Sequence, residues 1–161
     1  MDNNIIRKIT PPDNKVLAGI IRSALKEFNA DKPGTVYFDP TTDHLYELFQ
    51  TAGSVYYVAL INERMAGGAG IYPTAGLDAD TCELVKIYLA PEGRGKGLGK
   101  LLMEQCLSAA KTAGYKKVYL ETMPELVIAV PMYEKFGFTY LKSPLGNSGH
   151  NGCGIWMIKE L

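Results

Sequence analysis

The sequence predicts a mixed α/β fold, and two observations carry that prediction. Apolar runs with strand-like and helix-like spacing follow one another in the order β-α-α-β-β-β-α-β-α-β-β. Short hairpin connections fill the first half, whereas helices long enough to cross over a sheet fill the second. The chain has 161 residues, of which 47% are hydrophobic, so we expect a sizeable core and one domain over residues 1–161.

The first half of the chain is predicted to contain two helices and three strands. The predicted elements are a strand at 4–10, helices at 13–28 and 42–50, and strands at 55–61 and 66–72. Asp13 follows a Pro-Pro pair and can cap the first helix. Gly67 and Gly68 stand near the start of the last strand, where glycine indicates a bulge or a close backbone approach.

The second half is predicted to alternate strands with helices. The predicted elements are strands at 82–89 and 116–121, helices at 97–113 and from about 122 to 136, and strands at 138–142 and 154–159. Gly114 is placed to end the first of these helices with a positive φ. Thr122-x-x-Glu125 has the form of a capping box for the second. Pro131 lies inside that helix, so either the helix bends there or it begins near Val130; we expect a bend.

A glycine-rich stretch, PEGRGKGLGK at 91–100, lies between a predicted strand and a predicted helix. It does not fit the nucleotide-binding P-loop, because Arg94 stands where the first glycine is needed and Leu101 where the hydroxyl is needed. The dinucleotide fingerprint also fails, because its third glycine is replaced by Lys100 in one register and by Leu98 in the other. A nucleotide phosphotransferase is therefore disfavoured.

The pattern that does fit is Arg94-x-x-Gly97-x-Gly99, and with it the chain resembles the GNAT family of N-acetyltransferases. The phrase at 83–107 resembles the family's acetyl-CoA motif, and AVPMYEKFGF at 129–138 resembles its second motif. The similarity covers roughly residues 54–142. The resemblance implies a GNAT fold: a central mixed, mostly antiparallel twisted sheet of six to seven strands with about four helices, splayed between the fourth and fifth strands.

The resemblance also implies acetyl-CoA as co-substrate, with no metal. Backbone amides at the start of a helix, freed of side chains by glycine, suit a diphosphate, and the strand before the loop would hydrogen-bond the pantetheine arm through its main chain. The Leu89 amide would face the thioester carbonyl. The residues assigned to the cofactor in this way are Ile87, Tyr88, Leu89, Arg94, Gly95, Lys96, Gly97, Leu98, Gly99 and Lys100. The alternative is a glycine-rich turn with solvated cations.

Acetyl transfer to an amine requires a base for the ammonium and benefits from an acid for the leaving thiolate. Glu83 stands eleven residues before Arg94, as does the catalytic glutamate of the family's histone acetyltransferase branch, and is the candidate base. Its alternative is a strand carboxylate paired with Lys117. Tyr133 occupies the tyrosine of the second motif and is the candidate acid; its alternative is a core aromatic. His150, in a glycine-rich loop, is a weaker candidate for the base or for acceptor binding.

The composition limits the remaining possibilities. Seventeen basic residues balance seventeen acidic ones, so no charge excess indicates nucleic acid or an anionic membrane as partner. Three cysteines without CxxC spacing indicate free thiols and a cytoplasmic protein, and no apolar run approaches membrane-spanning length. We expect a small amine as the acceptor. Asp39, Glu121 and Glu125 are further carboxylates that could contact a cationic acceptor. A homodimer and a non-catalytic acyl-CoA-binding domain are the open alternatives.

Overall fold

The computed structural model describes residues 2–149 and 152–161. The strands in that part of the chain are β1 (Asn4–Lys8), β2 (Val55–Ile61), β3 (Arg64–Tyr72), β4 (Thr81–Leu89), β5 (Lys117–Thr122), β6 (Thr139–Leu141) and β7 (Ile155–Glu160). The α-helices are α1 (Asp13–Glu27), α2 (Leu45–Leu48), α3 (Leu98–Thr112) and α4 (Ala129–Lys135). Short 3₁₀ turns occupy Val36–Phe38, Pro40–Asp43 and Pro91–Gly93.

The strands form one mixed sheet in the order β1-β2-β3-β4-β5-β7-β6. Neighbouring strands of the described chain run antiparallel except β4 and β5, which are parallel. Parallel pairing lasts for three residues, from Thr81 opposite Lys117 to Glu83 opposite Tyr119. Beyond that point β4 continues to Leu89 and β5 to Thr122, but the two strands no longer pair with each other. The predicted mixed sheet and its splay between the fourth and fifth strands are confirmed.

Helices cover both faces of the sheet. On one face, α3 and α4 bury Leu102, Cys106 and Tyr133 against alternate residues of the central strands. On the other face, α1 buries Leu17 and Ile21. The helical periodicity that predicted α1 and α3 therefore reflects one buried stripe on each helix.

The predicted irregularity in the glycine-rich strand is confirmed. The β3–β4 register shifts between Gly68 and Gly70, where β4 contains one extra residue and Lys86 has a φ of +51°. Gly67 has a φ of +153°, and a Cβ there would lie 2.0 Å from the carbonyl oxygen of Tyr88. Only glycine fits this approach of β3 to the end of β4.

The N-terminal end of α1 is tied to β1. The Asp13 carboxylate accepts hydrogen bonds from the Thr10 amide (2.8 Å) and from the Arg7 guanidinium (2.8 Å).

The C-terminal end of α3 is as predicted. Gly114 has a φ of +92° just after α3 and ends that helix.

Two predicted helix starts were wrong. Thr122 is the last residue of β5 and caps no helix, and Glu125 forms an ion pair with Lys32. Because α4 begins at Ala129, Pro131 lies in its first turn, where the missing N–H has no intrahelical partner to lose. The helix therefore begins near Val130 and needs no bend. The predicted helix at 42–50 is shorter than expected, because Asp39 caps a separate 3₁₀ turn at Pro40–Asp43.

Candidate active site

A cleft opens where β4 and β5 separate. Ile87, Tyr88 and Leu89 of β4 line one side. The loop after β4 and the first turn of α3 contribute further predicted residues, which are Arg94, Gly95, Gly97, Leu98 and Gly99. Apolar side chains from α1, α4 and the loop before α4 line the rest, including Ala24, Phe28, Leu126, Ile128, Ala129 and Met132. The fold thus gathers most of the predicted cofactor residues around one elongated, mainly apolar space.

The glycine loop presents a row of free amides. For residues 95–100 the described part of the chain contains no backbone or side-chain acceptor for the main-chain N–H groups; the first helical bond of α3 runs from the Leu101 amide to the Gly97 carbonyl. Gly95 and Gly97 have φ values of +73° and +80°. Successive unpaired amides at a helix start form a cradle for an anion, and this donor set fits a diphosphate.

Each cationic side chain of the loop lies near a carboxylate of the protein. Arg94 contacts α1 and its C-terminal neighbour: its Nη1 lies 2.6 Å from Glu27 Oε2, and its guanidinium lies 5.1 Å from the Phe28 ring centroid. Lys96 pairs with Asp2 at 2.9 Å, and Lys100 lies 3.8 Å from Glu104 on the same helix. Neither lysine lines the cleft, so these two positions are best placed to contribute through their backbone amides.

The main chain at the end of β4 points into the gap. The Ala90 amide donates to the Ala66 carbonyl at 2.7 Å, which makes that opposed pair a hydrogen-bonded one. In an antiparallel ladder the adjacent pair, Gly67 with Leu89, then directs its main-chain groups away from the partner strand. The Leu89 N–H therefore faces the β5 side of β4. By the same alternation, the main-chain groups of Tyr88 point towards β3. Tyr88 therefore lines the cleft with its side chain.

A second cavity adjoins the cleft and contains both predicted catalytic residues. Glu83 and Tyr133 line it together, and Ile87, Tyr88 and Leu126 line both spaces. Glu83 is only 3% exposed, and its Oε1 accepts a hydrogen bond from Thr74 Oγ1 at 2.6 Å. Thr74 is therefore a partner of this carboxylate that sequence spacing did not indicate.

Tyr133 projects from α4 toward the same cavity. It is buried, and its ring packs edge-on against Phe138 with centroids 6.1 Å apart. Burial raises the pKa of Tyr133, so the phenol stays protonated across the neutral range. A protonated phenol in this position can donate a proton or a hydrogen bond.

Hydrogen bonds join the loops that lie beside this cavity. The Asn147 amide donates to the Ala75 carbonyl at 2.7 Å, and the Gly152 amide donates to the Gly34 carbonyl at 2.8 Å. Ser148 donates a hydrogen bond to Glu121, whose other oxygen accepts from Tyr119 at 2.7 Å. His150 lies outside the described residues.

A buried lysine is a further feature that the sequence analysis missed. Lys86 lies at the bulge of β4 and lines the second cavity. Its side chain is almost fully buried, and its Nζ lies 3.6 Å from Asp39 Oδ2. Burial lowers the pKa of Lys86, and the carboxylates of Asp39 and Glu83 oppose that shift. Its setting in the apolar run LVKIYL was the available signal, because a cation in the middle of a buried strand requires a partner.

The splayed sheet and the row of unpaired amides at a helix start are the features expected of an acyl-CoA-dependent acyltransferase. The sequence model described as the acetyltransferase (GNAT) family matches residues 21–138. The chain belongs to this GNAT acetyltransferase family.

Related proteins agree with that assignment. The chain is similar to the uncharacterized N-acetyltransferase YjgM of Escherichia coli K12, with 39% identity over 98% of this chain and 95% of that protein. It is 30% identical to human N-acetyltransferase 8 over 69% of this chain and 52% of that protein.

Solved structures share the fold. An acetyltransferase of the GNAT family from Staphylococcus aureus superposes with a TM-score of 0.87 at 19% identity, covering 98% of this chain and 99% of that one. The PaiA N-acetyltransferase of Thermoplasma acidophilum, solved with coenzyme A, gives 0.77 at 20% identity over 99% of both chains. The predicted GNAT fold is confirmed.

The protein is an acyl-CoA-dependent N-acetyltransferase with acetyl-CoA as its co-substrate. Bound acetyl-CoA supplies an activated acetyl thioester. Among the described residues, no group of three or more His, Cys, Asp and Glu side chains is arranged to hold a metal ion. No helix there is long and apolar enough to cross a bilayer.

Proposed function

We propose that this protein transfers an acetyl group directly from acetyl-CoA to the primary amine of a small molecule. The observation that carries the proposal is that Glu83 and Tyr133, distant in sequence, line one cavity that adjoins the cleft of the glycine loop. A buried base and a buried acid on either side of a splayed sheet are the groups that amine acylation requires.

The hydrogen-bonded loops beside the cavity support a small acceptor over a protein. Main-chain hydrogen bonds tie the loop at 143–149 to Ala75, and they tie Gly152 to Gly34. A side chain of a folded protein would have to reach past these joined loops, whereas a small amine needs less room.

The charges around the cavity support a cationic acceptor. Glu83 and Glu121 bring two carboxylates to its lining; the Thr74 hydroxyl donates to Glu83, and the Tyr119 and Ser148 hydroxyls donate to Glu121. Lys86 lies beside Asp39, so that pair adds no net charge. The excess of negative charge favours an ammonium group over an anionic acceptor.

Each residue then has a defined task. Glu83 accepts a proton from the ammonium, directly or through one water, and so generates the nucleophilic amine. The Leu89 amide faces the gap where oxygen charge develops during acyl transfer. Tyr133 Oη donates a hydrogen bond, and as the C–S bond breaks a proton, to the leaving sulfur; burial keeps the phenol protonated before this step. Three expectations stay predictions: one domain over residues 1–161, a cytoplasmic location and a homodimer.

The test is a panel of small primary amines with release of free thiol as the readout. Glu83→Gln keeps the shape and an acceptor for the Thr74 hydroxyl but removes the base. We expect kcat/KM to fall by about 10²-fold or more, with acetyl-CoA binding unchanged. Tyr133→Phe removes only a hydroxyl and should lower kcat by about 10²-fold.

A protein that only binds acyl-CoA gives a different result. It would bind acetyl-CoA in calorimetry yet release no thiol with any amine, and neither variant would differ from the wild type. Turnover with a lysine-containing folded protein but with no small amine would overturn the small-molecule part of the proposal alone.

A further inference from the structure

Thr122 carries a hydroxyl group that the folded chain leaves without a partner. It is 3% exposed, and its Oγ1 is the one buried side-chain nitrogen or oxygen in the described residues for which no hydrogen bond is found. Leaving a buried hydroxyl unpaired is unfavourable, so native structures rarely do so without a reason. A ligand that supplies the missing partner is such a reason.

The position of Thr122 indicates which ligand. Parallel pairing ends at Glu83 opposite Tyr119, and continuing that register would place Thr122 level with Lys86 on β4. The two strands are no longer paired there, and Thr122 and the neighbouring Ile87 both border the space between them. Both residues line the same cavity. A group that fills the gap between β4 and β5 has the β4 main chain on one side and Thr122 on the other.

The hydroxyl also lies on the same face of the sheet as Tyr133. Side chains alternate along a strand, and Leu120, two residues earlier, packs in the core beneath α3 and α4. Thr122 therefore points to the α4 side, where Tyr133 also lines the cavity.

We propose that Thr122 is a binding residue for the pantetheine arm of the acyl-CoA co-substrate. Its Oγ1 exchanges a hydrogen bond with an amide or thioester group of that arm and holds the arm between β4 and β5. A hydroxyl suits this task because it can donate and accept. The proposal rests on the acyl-CoA assignment and does not depend on the identity of the amine.

The test compares Thr122→Val with Thr122→Ser by calorimetric titration with coenzyme A. Valine keeps the shape but removes the hydroxyl, and we expect the Kd for coenzyme A to rise about 10-fold. Serine restores the hydroxyl and should stay within about 3-fold of the wild type. The nucleotide half of coenzyme A keeps the diphosphate but lacks the arm, so wild type and Thr122→Val should bind it equally.

Thermal unfolding without ligand separates binding from a structural role. Thr122→Val should not lower Tm, because no hydrogen bond of the unliganded protein is lost. Thr42→Val is the matched control, since the buried Thr42 Oγ1 donates to the Val36 carbonyl at 2.8 Å. That variant should lower Tm by about 2–6 °C.

Three results would overturn the proposal. One is an unchanged Kd for coenzyme A in Thr122→Val, including the case in which only the KM for the amine rises. Another is an equal loss of affinity for coenzyme A and for its nucleotide half. The third is a fall in Tm as large as that of Thr42→Val. Failure of the wild type to acetylate small amines would leave this comparison unaffected, because no amine is present.

Discussion

At the scale of single residues, the candidate base depends on a neighbour from another part of the fold. The Thr74 hydroxyl donates to Glu83 Oε1 at 2.6 Å, and both residues are buried. A hydrogen bond to a carboxylate stabilises its charged form and fixes its orientation. Thr74 is therefore a positioning residue, which acts on the reaction through Glu83.

Replacing Thr74 by valine tests that role. The carboxylate of Glu83 would lose a donor to its charged form, so the acidic limb of the kcat/KM profile should move to higher pH. The measurement is kcat/KM for a reactive amine between pH 5 and 9, with coenzyme A binding as the check on folding.

Thr74→Ser serves as the control, because serine retains the hydroxyl and should reproduce the wild-type profile. An unmoved acidic limb in Thr74→Val would show that the observed base is not Glu83 or that this hydrogen bond does not influence it.

At the scale of elements, the loop between β4 and α3 combines free amides with backbone conformations that glycine favours. Gly95 and Gly97 both have positive φ values, and Gly97 sits directly before the first residue of α3. A residue with a Cβ would resist this conformation, and the amides would then turn away from a common centre. The positive φ values that direct the amides towards one centre are therefore also the reason for glycine at these positions.

Gly97→Ala should therefore weaken coenzyme A binding and the fold together. The left-handed conformation costs alanine about 1–2 kcal/mol, which appears either as lost stability or as a displaced loop with a higher Kd. Urea unfolding and calorimetric titration with coenzyme A measure the two effects.

Gly19→Ala is the matched control in α1. That glycine has no heavy atom within 4 Å of a Cβ and no positive φ, so alanine should stabilise the helix by about 0.5–1 kcal/mol and leave binding unchanged. Equal behaviour of the two variants would contradict the assignment of the loop conformation to ligand binding.

At the scale of the whole molecule, the core contains several groups whose neutral forms are stabilised by burial. Burial raises the pKa of the Cys82 thiol to about 12 and that of Cys153 to about 12. Other groups whose pKa burial raises are Cys106, Tyr56, Tyr88, Tyr119 and Tyr133. The folded protein thus retains protons that the unfolded chain releases above about pH 9.

The protein should lose stability in alkaline solution for this reason. Above the unfolded thiol pKa the folded state binds more protons than the unfolded state, so the free energy of unfolding falls as pH rises from about 9 towards 12. Lys86 acts in the opposite direction, because burial lowers its pKa, but this single lysine is outnumbered by the seven thiols and phenols. Urea unfolding at pH 8, 9, 10 and 11 measures the slope.

Cys153→Ala removes one of these titrations and should make the decline shallower between pH 9 and 11. The comparison of slopes is independent of any constant loss of stability that the substitution causes at neutral pH. A free energy of unfolding that stays flat over this range would contradict the role assigned to the buried thiols and phenols.

The sequence by itself determined the fold and the cofactor end of the site. The order of strands and helices follows from local periodicity, and the amide cradle follows from glycines spaced within ten residues of one another. Such features survive without knowledge of distant contacts. The start of α4 was misjudged because Thr122 and Glu125 formed a valid local capping pattern that strand pairing and the Lys32 ion pair override.

Only the tertiary structure decided the environment of the reaction. The Thr74 hydroxyl donates to Glu83, Lys86 lies beside Asp39, and the buried hydroxyl of Thr122 has no partner among the described residues. Each of these facts depends on which distant segments lie side by side in the fold. Local spacing carries no record of that, because burial and partnership arise when distant segments pack together.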